Sequence, residues 1–180
     1  MYPRILLPAL ASILLIGCAE PNMDQGTAAT SAEASSLGTP STVTIRGHEG
    51  TYVACEIALN GDDQAILVAS RATPGDWEKF TMYEKPDGKV SFQAANGKWV
   101  CSDEYKGGIL VADRDQAGDW ETFTMIPKDG GKVALQAHNG SFVTADFGLT
   151  DARRGALFGN RTEVQDWELF TIEKDTAAVQ

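Results

Sequence analysis

Three tryptophans of this chain stand in one repeated setting: Asp76-Trp77-Glu78-Lys79-Phe80-Thr81, Asp119-Trp120-Glu121-Thr122-Phe123-Thr124 and Asp166-Trp167-Glu168-Leu169-Phe170-Thr171. An arginine, Arg71, Arg114 or Arg161, precedes each tryptophan by six residues. An indole between two carboxylates suggests two chemistries. The ring face could take the C–H groups of a sugar while the acids accept from its hydroxyls, or the paired acids could serve as acid and base in glycoside cleavage. The repetition weighs against both, because a residue kept in every copy of a tandem unit usually fills the same structural gap each time. Trp77, Trp120 and Trp167 are therefore expected to pack beneath hairpins. Arg71, Arg114 and Arg161 are expected to bridge to the acids flanking each tryptophan through charge-assisted bonds that fix a turn.

Other catalytic sets are missing from the sequence. No His/Cys/Asp spacing matches a zinc site. The two histidines, His48 and His138, fall at turns without a repeated nucleophile nearby. No metal, no cofactor and no catalysis are expected. Ligand contacts are sought instead where the copies differ, in the loops between the second and third strands of each copy. The second copy offers Asp103, Tyr105 and Lys106 close to Trp99; the third carries Phe147, Asp151, Arg153 and Arg154, with Asn139 at its turn. Rings, carboxylates and amides together are what a glycan site requires, while Arg153 and Arg154 form the one locally basic spot and suit an acidic protein partner. These segments read equally as solvated loops.

The elements that must position these residues are strands. The tryptophans recur 43 residues apart, Trp77 to Trp120, and then 47, Trp120 to Trp167, a period that marks one supersecondary unit copied in tandem. Each copy opens on alternating residues: Val43-Thr44-Ile45, Val90-Ser91-Phe92-Gln93 and Val133-Ala134-Leu135-Gln136. That is the period of a strand with one buried face. Glu49-Gly50, Asn96-Gly97 and Asn139-Gly140 follow as hairpin turns, Asn-Gly being the strongest such signal. Second strands run Thr51 to Cys55, Lys98 to Ser102 and Ser141 to Ala145; third strands run Ile66 to Ala69, Ile109 to Ala112 and Ala156 to Gly159. Fourth strands pass through Phe80, Phe123 and Phe170, and turns at 86–88 and 128–131 restart the cycle.

Four strands in each of three copies are too few blades for a propeller. They predict an all-β β-trefoil with pseudo-three-fold symmetry. The recurring Gln-Ala-x-Asn-Gly-Lys-Trp/Phe-Val, Leu-Val-Ala-Asp-Arg and Gly-Asp-Trp-Glu-x-Phe pattern resembles the fascin-like β-trefoil domain over residues 43–174, with 175–180 left as a short tail. Such domains occur in eukaryotic actin bundlers, and similar trefoils accompany bacterial glycoside hydrolases. The resemblance implies the fold. It does not carry the actin site, because the net charge of −10 would be repelled by a polyanionic filament. The same charge, with a pI near 4.6, argues against nucleic acid and against adsorption to anionic lipid.

The N-terminus carries an address. Arg4 and the apolar run Ile5 to Ile16 form a signal-length segment, too short to span a bilayer, ending in Leu15-Ile16-Gly17-Cys18. This resembles the bacterial lipoprotein signal; an ordinary cleaved secretory signal is the other reading. The resemblance implies cleavage of residues 1–17, a lipid on Cys18 and, with Ala19 next, a place in the outer membrane of the cell envelope. Residues 18–42, rich in Thr, Ala and Ser, read as a disordered tether with a reach of about 25–30 Å. Cys55 and Cys101 lie one residue out of phase in equivalent strands, which predicts opposite faces and argues against a disulfide. The expectation is a monomeric, membrane-tethered binding module, taking glycans or alternatively an envelope protein.

Overall fold

The structure, a computed structural model, describes residues 38–175. The signal, Cys18 and the tether up to residue 37 lie outside the described residues, as do 176–180. Twelve strands build the fold: β1 (Pro40–Arg46), β2 (Tyr52–Glu56), β3 (Ile66–Arg71), β4 (Lys79–Glu84), β5 (Lys89–Gln93), β6 (Trp99–Asp103), β7 (Ile109–Arg114), β8 (Phe123–Pro127), β9 (Val133–Gln136), β10 (Phe142–Asp146), β11 (Ala156–Arg161) and β12 (Thr171–Lys174). β1 starts three residues before the expected boundary. Pro40, Ser41 and Thr42 pair with Tyr83, Met82 and Thr81 of β4, so the tether ends before them. Their backbone bonds, rather than any apolar alternation, place them in the sheet.

Six strands close on themselves. β1 pairs β4, β4 pairs β5, β5 pairs β8, β8 pairs β9, and β12 returns to β1. The remaining gap is bridged by Val133 and Phe170, whose backbones exchange hydrogen bonds of 2.8 and 2.9 Å. The other six strands form three hairpins, β2–β3, β6–β7 and β10–β11. These meet one another through single bridges, Ile66 with Val111, Ile109 with Phe158 and Ala156 with Val68. The hairpins thus cap one end of the closed ring. At the other end lie the turns at Pro86–Gly88 and Asp129–Gly131, together with both ends of the described chain. Asp175 N–H donates to the Thr42 carbonyl at 2.8 Å. Gly38, at φ +77°, passes the Glu84 carbonyl so closely that a Cβ would lie 1.8 Å from it.

Phe80, Phe123 and Phe170 are fully buried in the main core with Val43, Val90 and Leu135. A second, smaller cluster of Ile66, Val68, Ile109 and Ala156, with Leu59 and Phe158 against it, lies where the hairpins meet. The hairpins are covered on both faces. The phase difference between Cys55 and Cys101 does not separate a buried from an exposed face, because both are buried in the main core. They are separate free thiols, and burial pushes each pKa up to about 12, so both are neutral at physiological pH.

Candidate functional site

The repeated Asp-Trp-Glu stretch is a tight turn, 3-10 in the first and third copies, so neighbouring side chains leave it in different directions. The glutamates go inward: Glu78, Glu121 and Glu168 are 5%, 7% and 4% exposed. Each carboxylate accepts the backbone N–H three residues back, Gly75 at 2.6 Å, Gly118 at 2.7 Å and Gln165 at 2.9 Å. That satisfies a donor the turn would otherwise leave unpaired.

The arginine six residues before each tryptophan completes the device. The register of each hairpin shifts after the first residue of β2, β6 and β10, with the extra residue (Ser70, Asp113 or Asn160) in β3, β7 or β11, which sets Tyr52, Trp99 and Phe142 opposite Arg71, Arg114 and Arg161. From there each Nε faces the turn glutamate: Arg71–Glu78 at 3.6 Å, Arg114–Glu121 at 3.9 Å and Arg161–Glu168 at 3.9 Å. Each Nη2 faces the acid that ends the second strand: Glu56 at 2.8 Å, Asp103 at 3.4 Å and Asp146 at 3.1 Å. One guanidinium between two carboxylates ties hairpin to turn in every copy. The expected bridge is present, with a second acid that sequence spacing did not indicate.

Trp77 and Trp167 go outward, against expectation, while Trp120 packs partly against the core. Trp77 is 46% exposed and Trp167 37%, and Trp120 is half-buried. The inward space is taken by the glutamate and by the phenylalanine two residues later, so the indole is left on the surface. Trp120 is the more covered because it packs against the main core, and Tyr105, itself 90% exposed, lies over it at 5.7 Å between ring centroids. Phe147 meets Trp167 edge-on at 6.0 Å.

Several loop candidates are committed elsewhere. Trp99 is buried against Tyr83, 5.0 Å away. Asp103 is buried, holding Arg114 and accepting the Tyr105 N–H at 3.1 Å. Asn139 braces its own turn, Oδ1 accepting from Ser141 N–H at 2.9 Å. Phe147 is buried, with the Arg154 guanidinium 5.2 Å over its ring. The basic spot is not free: Arg154 pairs with Glu49 at 2.9 Å, and Arg153 Nε donates to Asp63 at 2.7 Å. An acidic body supplies its own partners to its arginines. Lys106 is less committed, its ion pair being with the exposed Asp62 at 3.6 Å. Of these candidates, Tyr105 alone presents a large free surface.

The structure adds a grouping that the sequence reading passed over. Arg161, Thr162, Glu163, Gln165, Asp166, Trp167 and Glu168 line an open groove of about 570 Å³. The signal for it was present: the stretch 162–165 is Thr-Glu-Val-Gln, where the first copy has Ala-Thr-Pro-Gly and the second Asp-Gln-Ala-Gly. Chemically the groove offers a ring face, two carboxylates not consumed by the turn (Glu163 and Asp166), an amide and a hydroxyl. Among the described residues, no group of three His, Cys, Asp or Glu is placed to hold a metal ion.

Solved structures similar to this chain are β-trefoil proteins, and the likeness shows a shared fold. The designed three-fold symmetric protein ThreeFoil has 17% identity and a TM-score of 0.63, over 73% of this chain and 97% of that one. SeviL, solved bound to the asialo-GM1 saccharide, has 15% identity and a TM-score of 0.57, over 76% and 98%. 1,3Gal43A, an exo-β-1,3-galactanase from Clostridium thermocellum, has 12% identity and a TM-score of 0.62 over 75% of this chain, which spans only 30% of that enzyme. No curated protein sequence matches. The model of the DUF7910 family, a domain of unknown function, matches residues 47–153, more than half of the chain, and the protein belongs to that family.

Proposed function

We propose that this protein is a non-catalytic glycan-binding module, built as three four-stranded β-trefoil repeats about a pseudo-three-fold axis and tethered to the bacterial outer membrane through a lipid on Cys18. The observation that carries the binding reading is the outward tryptophan. Trp167 stands in the wall of an open groove whose remaining lining is polar and charged, with three acids and Arg161. An indole face beside hydrogen-bonding groups suits a sugar ring, which is apolar on its C–H faces and polar at its rim. Trp77 presents the same surface in the first copy, next to the exposed Asp76. The saccharide-bound SeviL fits this reading as a neighbour in fold, which is analogy rather than site chemistry. The protein-partner reading loses its main support, because Arg153 and Arg154 are already paired within the chain.

A glycan array tests the proposal. Binding to a polysaccharide class, lost in Trp167→Ala without loss of folding, is the expected result. Absence of binding across the array, with an envelope protein co-purifying instead, would reject it. The tether is tested separately by membrane fractionation of Cys18→Ala, which should release the protein; unchanged membrane association would refute lipidation at that position.

A further inference from the structure

The three hairpins meet along three seams, each closed by the same backbone bond: Ala112 N–H to the Ala65 carbonyl, Gly159 N–H to the Gly108 carbonyl, and Ala69 N–H to the Gly155 carbonyl. The side chains over these bonds differ. Where the third copy meets the first, Phe147 fills the space and Arg154 spans it to Glu49, its guanidinium over the ring. A Cβ on Gly155 would lie 2.6 Å from the Ala69 carbonyl and 3.1 Å from Phe147, so that seam is full. Where the second copy meets the third, Gly159 is hemmed in: a Cβ there would sit 2.5 Å from Ser102 Oγ and 3.1 Å from Ala137.

The seam between the first and second copies is open. By position in the repeat, Ile57 stands where Phe147 stands in the closed seam, Gln64 where Arg154 stands, and Asn96 where Glu49 stands. The aromatic filler is reduced to an aliphatic one and the ion pair across the seam is replaced by two amides. Asn96 instead turns to its own hairpin, donating to the Ala112 carbonyl at 2.9 Å. What remains is a groove of about 450 Å³ with Ile57, Ala65 and Val111 as its apolar floor and Gln64, Lys98, Lys106 and Asp113 around it.

The chemistry of this lining differs from that of the Trp167 groove. It has no ring to stack on, and its small aliphatic floor accepts a methyl or short acyl group. Two of the protein's eight lysines stand at its rim although the chain carries a net charge of −10. Their present partners, Asp115 for Lys98 and Asp62 for Lys106, are 83% and 88% exposed, and such surface pairs hold a lysine weakly. The lining carboxylate, Asp113, is engaged within its own hairpin by Arg114 at 2.9 Å, the guanidinium it shares with Asp103 and Glu121. Both ammonium groups can therefore turn to an anion in the groove.

We propose that this seam is a second ligand site, separate from the tryptophan face, for an N-acylated acidic sugar, a small molecule that carries both a short acyl group and a carboxylate. The acyl methyl rests on Ile57 and Val111, the Gln64 amide meets the acyl amide, and Lys98 and Lys106 take the carboxylate.

NMR titration of the methyl-labelled protein with N-acetylmuramic acid, with N-acetylglucosamine as the neutral control, tests this. Saturable shifts at the Ile57, Ala65 and Val111 methyls are expected with the acid and only weakly with the control. Affinity should fall about tenfold in Lys98→Gln/Lys106→Gln, two rim changes that leave the core untouched. Copying the closed seam, Ile57→Phe/Gln64→Arg/Asn96→Glu, should abolish the shifts. Trp167→Ala should leave them unchanged, so failure here and failure of the tryptophan-face reading are told apart. No shifts at these methyls, equal affinity for the neutral control, full affinity in the double lysine variant, or loss of the shifts in Trp167→Ala would each overturn the proposal.

Discussion

The ring and its cap treat the same sequence repeat in opposite ways. In the ring the copies agree: Phe80, Phe123 and Phe170 are interchangeable, fully buried fillers two residues after their glutamates. In the cap they diverge: one seam is filled by Phe147 and Arg154, one is cramped around Gly159, and one stands open over Ile57. Burial explains the difference. A closed core has one shape to fill three times, and any change of volume there is felt. The cap loops need only satisfy their own backbone, so they can drift toward separate uses. Repetition therefore marks what holds the molecule together, and departures from it mark where a ligand is to be sought.

Substitutions can break or sharpen that contrast. The largest effect is expected in the ring, where Phe123→Ala should cost about 3–5 kcal/mol in urea unfolding. Phe80→Ala should match it, and a large inequality would show that the ring copies are not equivalent. Gly155→Ala should cost about 2–4 kcal/mol, since φ is +84° and the new Cβ meets the Ala69 carbonyl. Glu168→Ala should cost about 1–3 kcal/mol, leaving the Gln165 N–H without its acceptor and Arg161 with one acid instead of two. In the first copy the place of Gly155 is taken by Ala65, held at φ 61°. Ala65→Gly should therefore raise the unfolding free energy by about 0.5–1 kcal/mol. The smallest effect belongs to Trp77→Ala, within about 0.5 kcal/mol, because the exposed indole supports little. A stability loss as large as that of Phe123→Ala would return the tryptophans to a structural role.

The strands were legible because period-two alternation and Gly-containing turns are local signals, so Val90 to Gln93 and Asn96-Gly97 could be read without a partner in view. Pro40 to Thr42 were not, since polar residues enter a strand only through the bonds β4 offers them. The direction of the tryptophans was hidden for a related reason. Asp-Trp-Glu sits in a tight turn, where neither strand nor helix periodicity assigns a face, and the aromatic looked the natural core member. The buried role falls to Glu78, Glu121 and Glu168, each redeemed by a backbone N–H and an arginine. Phe147 and Arg154 were misread as a free loop because their partners, Glu49 among them, lie a hundred residues away in the chain.

The two ends of the described chain lie side by side, Val43 opposite Lys174 in neighbouring strands. Such a body is wired like a plug with both leads at one end. A short peptide from Asp175 to Gly38 could close it into a circle, and the circle could be reopened at the Asp87 or Gly130 turn without cutting a single hairpin of the cap. It also means that several bodies strung on one chain would hang from their bases like beads on short loops, every cap turned outward and none shading its neighbour.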